Sequence, residues 1–345
     1  MDYVLVPAHG KPQPLKFGSF KPCRIALMST KPGCATGVIG ATGFVGGAVV
    51  LSLTQKYEAS VSFVLRLPVG VIEDVHSGIR PNTAELSSQE FRQLDFYDQR
   101  TFAPAMSGIK KLFLMRPPAN GDVKRWVFPL LDVALRADVK RIVFLSVSGA
   151  ETRAYLPHAK IEARLAHLAS HSKSKVGILR PGFFAQNLLS AYREDISDDD
   201  RLYVCAADSR VAFVDTEDFG AAGARALVDG CLDGKAATLT GPSALTFGEV
   251  AALLSEALGR PIKYVPASIH GFFCHWVFHK GAGLTEAAII TALHAGLRRG
   301  NAESMFQEMS TASDRSATSV AQFFGRFINA WDRTPGYPKT TRHDV

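Results

Sequence analysis

The stretch Val38-Ile39-Gly40-Ala41-Thr42-Gly43-Phe44-Val45-Gly46 constrains this chain more than any other: two apolar residues run into glycines spaced three apart. Small apolar residues, Gly47-Ala48-Val49-Val50-Leu51, follow at once, so the glycines stand where a strand becomes a helix. Such a turn needs glycine for physical reasons. One position takes the tight reversal, one brings bare backbone against a pyrophosphate, and one lets helix and sheet pack closely. The helix N-terminus adds unpaired N–H groups and the positive end of a dipole, both suited to phosphate. A nucleotide cofactor is the first expectation.

Downstream the chain alternates with βα spacing. After the helix, which runs to about Tyr57, apolar runs at 61–65, 90–94, 111–115, 141–146 and 176–180 read as strands. Periodic segments near 100–106, 123–137 and 158–169 read as helices between them. That pattern predicts an α/β fold, a doubly wound parallel sheet of the Rossmann type covered on both faces. Residues 1–33, with five prolines, read as an irregular extension, although 24–28 could form a short strand, and residues 34–181 as the nucleotide-binding domain. From 182 to 331 short strands mix with helices, which predicts a smaller α/β substrate lobe with segments returning to the first domain. Thr246 and Glu249 have capping-box spacing and open one of its helices. Residues 332–345 read as a flexible tail.

Composition excludes several classes. No apolar run reaches the roughly 18 residues of a membrane span, and no continuous apolar segment near Met1 suggests a secretory leader. A cytoplasmic protein is expected. The five cysteines are scattered and never spaced as C-x-x-C, against a disulfide framework or a zinc site. Of the net charge of +7, residues 1–33 carry more than half, and no basic stripe follows a helix face. Nucleic acid is not an expected partner; a small-molecule substrate is.

The residue that ends the second strand of a dinucleotide fold meets the adenosine ribose. An acid there selects NAD, and a basic group accommodates the 2′-phosphate of NADP. Here it is Arg66, with no acid before Glu73, so NADP(H) is favoured.

Beyond the glycines, several segments together resemble the NmrA-like, atypical members of the short-chain dehydrogenase/reductase superfamily. They are Leu112-Phe113-Leu114-Met115-Arg116-Pro117-Pro118, Phe144 to Ala150, Pro157-His158-Ala159-Lys160-Ile161-Glu162, and Leu179-Arg180-Pro181-Gly182-Phe183-Phe184 onward to Leu188. Leu239-Thr240-Gly241-Pro242 and Leu258-Gly259-Arg260-Pro261 extend the match over roughly residues 35–300. The resemblance implies that Gly40, Thr42, Gly43, Phe44, Val45 and Gly46 hold the pyrophosphate and Arg66 the 2′-phosphate. It implies Asp95 near the adenine, Lys160 near the nicotinamide ribose, and Pro181 and Phe183 on the carboxamide side. Ser146 stands where the superfamily often keeps a substrate-binding hydroxyl.

One departure bears on catalysis. Most superfamily dehydrogenases place a tyrosine four residues before the active-site lysine, but Leu156 holds that position. Tyr155 is five before Lys160, about 140° around a helix from it, unless a non-helical start near Pro157 brings it back. Three readings stay open. Lys160 could act as acid or base; the substrate could be an iminium ion that needs no proton donor; or the protein could sense NADP(H) without turnover, as NmrA-type regulators do. The expected activity is reduction of a C=O, C=C or C=N bond of a small, mostly apolar metabolite; the secondary-metabolism setting is what the resemblance implies. The aromatic residues Phe183, Phe184, Phe272, Phe273 and Trp276 suggest the apolar pocket. His275 and His279 are one helical turn apart but have no acid beside them in sequence, so no metal is expected. The acid run Glu194 to Asp200 reads as a solvated loop.

Overall fold

Alternation of apolar residues builds both faces of one sheet. A computed structural model describes residues 35–57, 59, 61–65, 90–116, 121–298, 312–313 and 315–332. The extension 1–33, Arg66 and most of the tail lie outside the described residues.

The first six strands are β1 (Ala35–Ile39), β2 (Val61–Leu65), β3 (Glu90–Gln93), β4 (Ile109–Leu114), β5 (Arg141–Leu145) and β6 (Lys175–Pro181). β7 (Phe183–Phe184), β8 (Arg201–Val204), β9 (Val211–Val214), β10 (Ala236–Leu239), β11 (Ala244–Leu245) and β12 (Lys263–Pro266) follow. Seven of them form a sheet in the order β3-β2-β1-β4-β5-β6-β10. All pairings in it are parallel.

On one face lie α1 (Phe44–Tyr57) and α7 (Thr216–Asp229). On the other lie α2 (Phe102–Met106), α4 (Phe128–Arg136) and α5 (Pro157–Ser170). Period-two geometry sends Leu112 and Leu114 to the second face and Phe113 to the first; Ile142 and Phe144 part from Val143 in the same way. The expected doubly wound sheet is present.

α1 and α7 pack at close range because both carry small residues. A β-carbon on Gly220 would lie 2.6 Å from Ala48 Cβ, and one on Gly223 would lie 3.0 Å from the Phe113 ring. α7 and β10 both come from after residue 181, yet they complete the first layer.

The rest of that half has its own core, built from β8, β9, β12 and α8 (Phe247–Leu258), α9 (Ile269–Phe278), α10 (Leu284–Leu297) and α11 (Val320–Phe327). The capping box forms in full: Glu249 N–H donates to Thr246 Oγ1 at 3.1 Å, and Thr246 N–H to Glu249 Oε2 at 2.7 Å. Phe183 and Phe184 mark the joint between the units. Phe183 packs edge-on to Phe213 and Phe247 in the second core, whereas Phe184 packs on Phe219 of α7 in the first.

One expected helix is two. Residues 123–137 divide into α3 (Val123–Trp126) and α4, because Pro129 has no N–H for the carbonyl of Arg125. The Gln99 side chain donates to that carbonyl instead, at 3.3 Å.

Candidate cofactor and active site

The order of the sheet reverses between β1 and β4, and a crevice outside their carboxyl ends is where such sheets bind ligands. The glycine turn lies there. Gly40 has φ +71°, a conformation only glycine takes freely. Gly43 N–H donates to Gly40 O at 2.9 Å, closing the turn. A β-carbon on Gly46 would stand 2.2 Å from that same oxygen, so glycine alone lets α1 begin so near β1. A β-carbon on Gly40 would lie 2.5 Å from Met115 Sδ, which reaches across from the end of β4. The first turn of α1 carries no acid that would repel phosphate. These features fit the pyrophosphate of a dinucleotide. Phe44 and Val45 are buried, so they would meet it through backbone N–H groups rather than side chains.

Asp95, half-buried just past β3, accepts from Tyr97 N–H at 2.9 Å and is tied to Thr101 by its own N–H. It therefore shapes the turn at the edge of the crevice next to β2. Pro181 ends β6, and its carbonyl accepts from Ser148 Oγ at 2.6 Å.

Several expected side chains are placed otherwise. On α5, His158, Ile161, Glu162 and Leu165 are buried, the i, i+3, i+4, i+7 face that packs on the sheet. Lys160 is exposed, about 200° around the helix from His158. It is off the face that packs on the sheet, and its side chain is open to solvent. Helix α5 begins at Pro157 with Leu156 extended as its N-cap, so Tyr155 lies before the helix and is 72% exposed. Ser146 is wholly buried and donates to Glu162 Oε1. Arg180 holds the same carboxylate with Nε at 3.0 Å and Nη2 at 2.6 Å. Ser146 is thus part of a buried ionic network that anchors α5, rather than an open hydroxyl. Phe183, Phe184, Phe272 and Trp276 are core residues, 3% exposed or less; Phe273 is half-buried.

The residue pair that sequence reasoning missed is Arg116 with His158. Arg116 follows β4 and His158 is the second residue of α5. Arg116 Nε donates to His158 Nε2 at 2.9 Å, and the imidazole stacks on Phe144, centroids 6.1 Å apart. The accepting Nε2 must be unprotonated, which fixes the neutral imidazole with its proton on Nδ1. The signal was present in the helical period: His158 shares the inward face with Ile161 and Glu162, and Lys160 does not.

The acid absent near the histidines in sequence arrives from another element. Asp195, on α6 (Arg193–Ser197), is buried and lies 3.2 Å from His275 Nε2 and 3.3 Å from Lys280 Nζ. Burial alone would raise its carboxyl pKa, but the bonds from His275 and Lys280 hold it below the ordinary value. That part of the acid run is an internal ion cluster, not a solvated loop. Among the described residues no group of three ligands is placed to hold a metal. No helix among them is long and apolar enough to cross a membrane.

The sheet order, the switch-point crevice and the glycine cradle define a dinucleotide-binding α/β protein. The model of the NmrA-like family matches residues 36–294. The chain belongs to that family. It is 28% identical to an NAD(P)H azoreductase of Xenophilus azovorans over 232 residues, 67% of this chain and 77% of the other. It is 27% identical to an agroclavine dehydrogenase of Claviceps fusiformis, over 73% of this chain and 86% of the other. The crystal structure of an Escherichia coli NADPH-dependent quinone oxidoreductase complexed with NADPH shares the fold, with a TM-score of 0.71 at 23% identity; the match covers 85% of this chain and 100% of that one.

Proposed function

We propose that this chain is an NADP(H)-dependent oxidoreductase that reduces a C=O, C=C or C=N bond of a small, mostly apolar metabolite, with a role in secondary metabolism. The observation that carries the reading is the cradle: Gly46 admits no β-carbon against Gly40 O, and no acid stands at the start of α1. NADPH, when bound, supplies a hydrogen with its electron pair. The chain's own part is to hold and orient. Backbone groups of Gly40, Thr42, Gly43, Phe44, Val45 and Gly46 take the pyrophosphate, and Arg66 the 2′-phosphate. Asp95 borders the adenine side and Pro181 the nicotinamide side. Met115, half-buried at the crevice, offers the substrate an apolar wall. The name of the NAD(P)H azoreductase supports a reductive role; that of the agroclavine dehydrogenase supports redox chemistry on a small metabolite and the metabolic setting.

The test is a panel of quinones, enones, ketones and cyclic iminium salts mixed with the pure protein and NADPH, followed at the reduced-nicotinamide absorbance band. Oxidation with at least one class is expected. Tight NADPH binding without oxidation across the panel would favour a regulator that reports the NADP(H) state to a protein partner.

A further inference from the structure

We infer that His158, backed by Arg116, is the proton donor of this site, in place of the tyrosine that Leu156 replaces. The inference rests on the reductase reading above.

Three observations carry it. His158 lies on the inward face of α5 and is 5% exposed, at the carboxyl ends of β4 and β5 beside the crevice. Arg116 Nε donates to its Nε2 at 2.9 Å, which fixes the proton on Nδ1. His158 also stands in the first turn of α5, where the helix dipole opposes a positive imidazolium.

The chemistry follows from the charge. A guanidinium on one ring nitrogen disfavours the imidazolium and favours loss of the remaining N–H proton, because a cation stabilises the anion that forms. In carbonyl reduction a C–H bond forms at carbon with the electron pair that NADPH gives up. The π pair of the carbonyl moves to oxygen, the Nδ1–H bond breaks, and its proton forms the O–H. The negative ring then rests on Arg116 until water returns a proton to it. Reduction of an iminium ion ends at a neutral amine and asks for no proton.

That difference supplies the test. In His158→Gln the amide oxygen still accepts from Arg116, so fold and NADPH affinity are expected to hold. Its turnover with a ketone or quinone should fall by about 100-fold or more, while turnover with N-methyl-3,4-dihydroisoquinolinium stays within about threefold. A readout independent of activity is the imidazole nitrogen spectrum of the full-length protein. His158 should show a protonated Nδ1 and an accepting Nε2, and Arg116→Gln should shift the Nε2 resonance. Equal loss on both substrates, or a protonated Nε2 in the native protein, would overturn the inference. If the native protein reduces no substrate at all, the reductase reading fails, and the nitrogen spectrum alone still decides whether the Arg116–His158 pair exists as described.

Discussion

Gly220 and Ala48 approach so closely that a β-carbon on the glycine would lie 2.6 Å from that of the alanine and equally near its carbonyl carbon. The neighbour is backbone of α1, the helix that opens on the glycine turn. Gly220→Ala is therefore expected to push α7 off α1 and destabilise the protein by about 1–3 kcal/mol. Urea unfolding checks it; an unchanged midpoint would mean that the helices can separate freely.

At the turn itself the constraint is sharper. Gly46→Ala sets a methyl against Gly40 O, so it should weaken NADPH binding by at least about tenfold as well as lower stability. Titration of the quenched protein fluorescence with NADPH reads the first effect. Binding at native strength would remove the cradle from the cofactor site.

Cofactor choice is assigned to Arg66. Arg66→Ala should weaken NADPH by about 1.5–3 kcal/mol, the range of a charge-assisted bond, and leave NADH nearly unchanged. Equal losses for both nucleotides in parallel titrations would move the 2′-phosphate elsewhere.

Glu162 is held by Arg180 and Ser146 inside the protein. Glu162→Ala removes two short bonds from a largely buried guanidinium and is expected to cost about 3–5 kcal/mol. The measurement is the unfolding free energy, and a loss under about 1 kcal/mol would show Arg180 satisfied by Glu151, 3.4 Å away.

Acid should weaken the second core. Burial pushes the His294 pKa down to about 4 from 6.5, despite the Nδ1–H bond to Ile290 O at 2.7 Å; its Nε2 accepts from the Tyr192 hydroxyl. Between those values the unfolded chain binds a proton that the folded chain refuses. Stability is therefore full above pH 6.5 and declines as pH falls toward 4, by up to about 3 kcal/mol. Urea midpoints at pH 7 and 4.5 measure the fall. The double change Tyr192→Phe, His294→Leu should abolish this part of it.

What the sequence disclosed and what it hid follow one physical rule. The glycine turn, the alternating strands and the Thr246–Glu249 cap are local, set by residues three or four apart, and they are where the pattern places them. The break at Pro129 was also local, since a missing N–H four residues after Arg125 is visible in the letters alone. The working pairs are different. Arg116 meets His158 across 42 residues, Glu162 meets Arg180 across 18, and Asp195 meets His275 across 80. No periodicity brings such partners together; the sheet order does. The face of α5 that meets the sheet is defined by His158, Ile161, Glu162 and Leu165.

The adjacent rings of Phe183 and Phe184 have a practical outcome for anyone cutting this chain apart. One peptide unit commits its two side chains to separate interiors, and α7 and β10 then travel back to roof the first of them. A fragment ending at residue 181 would lose the helix that covers α1 and leave the edge of β6 bare, an invitation to aggregate. The nucleotide-binding half should not fold as a detachable module, and both halves should melt as a single transition.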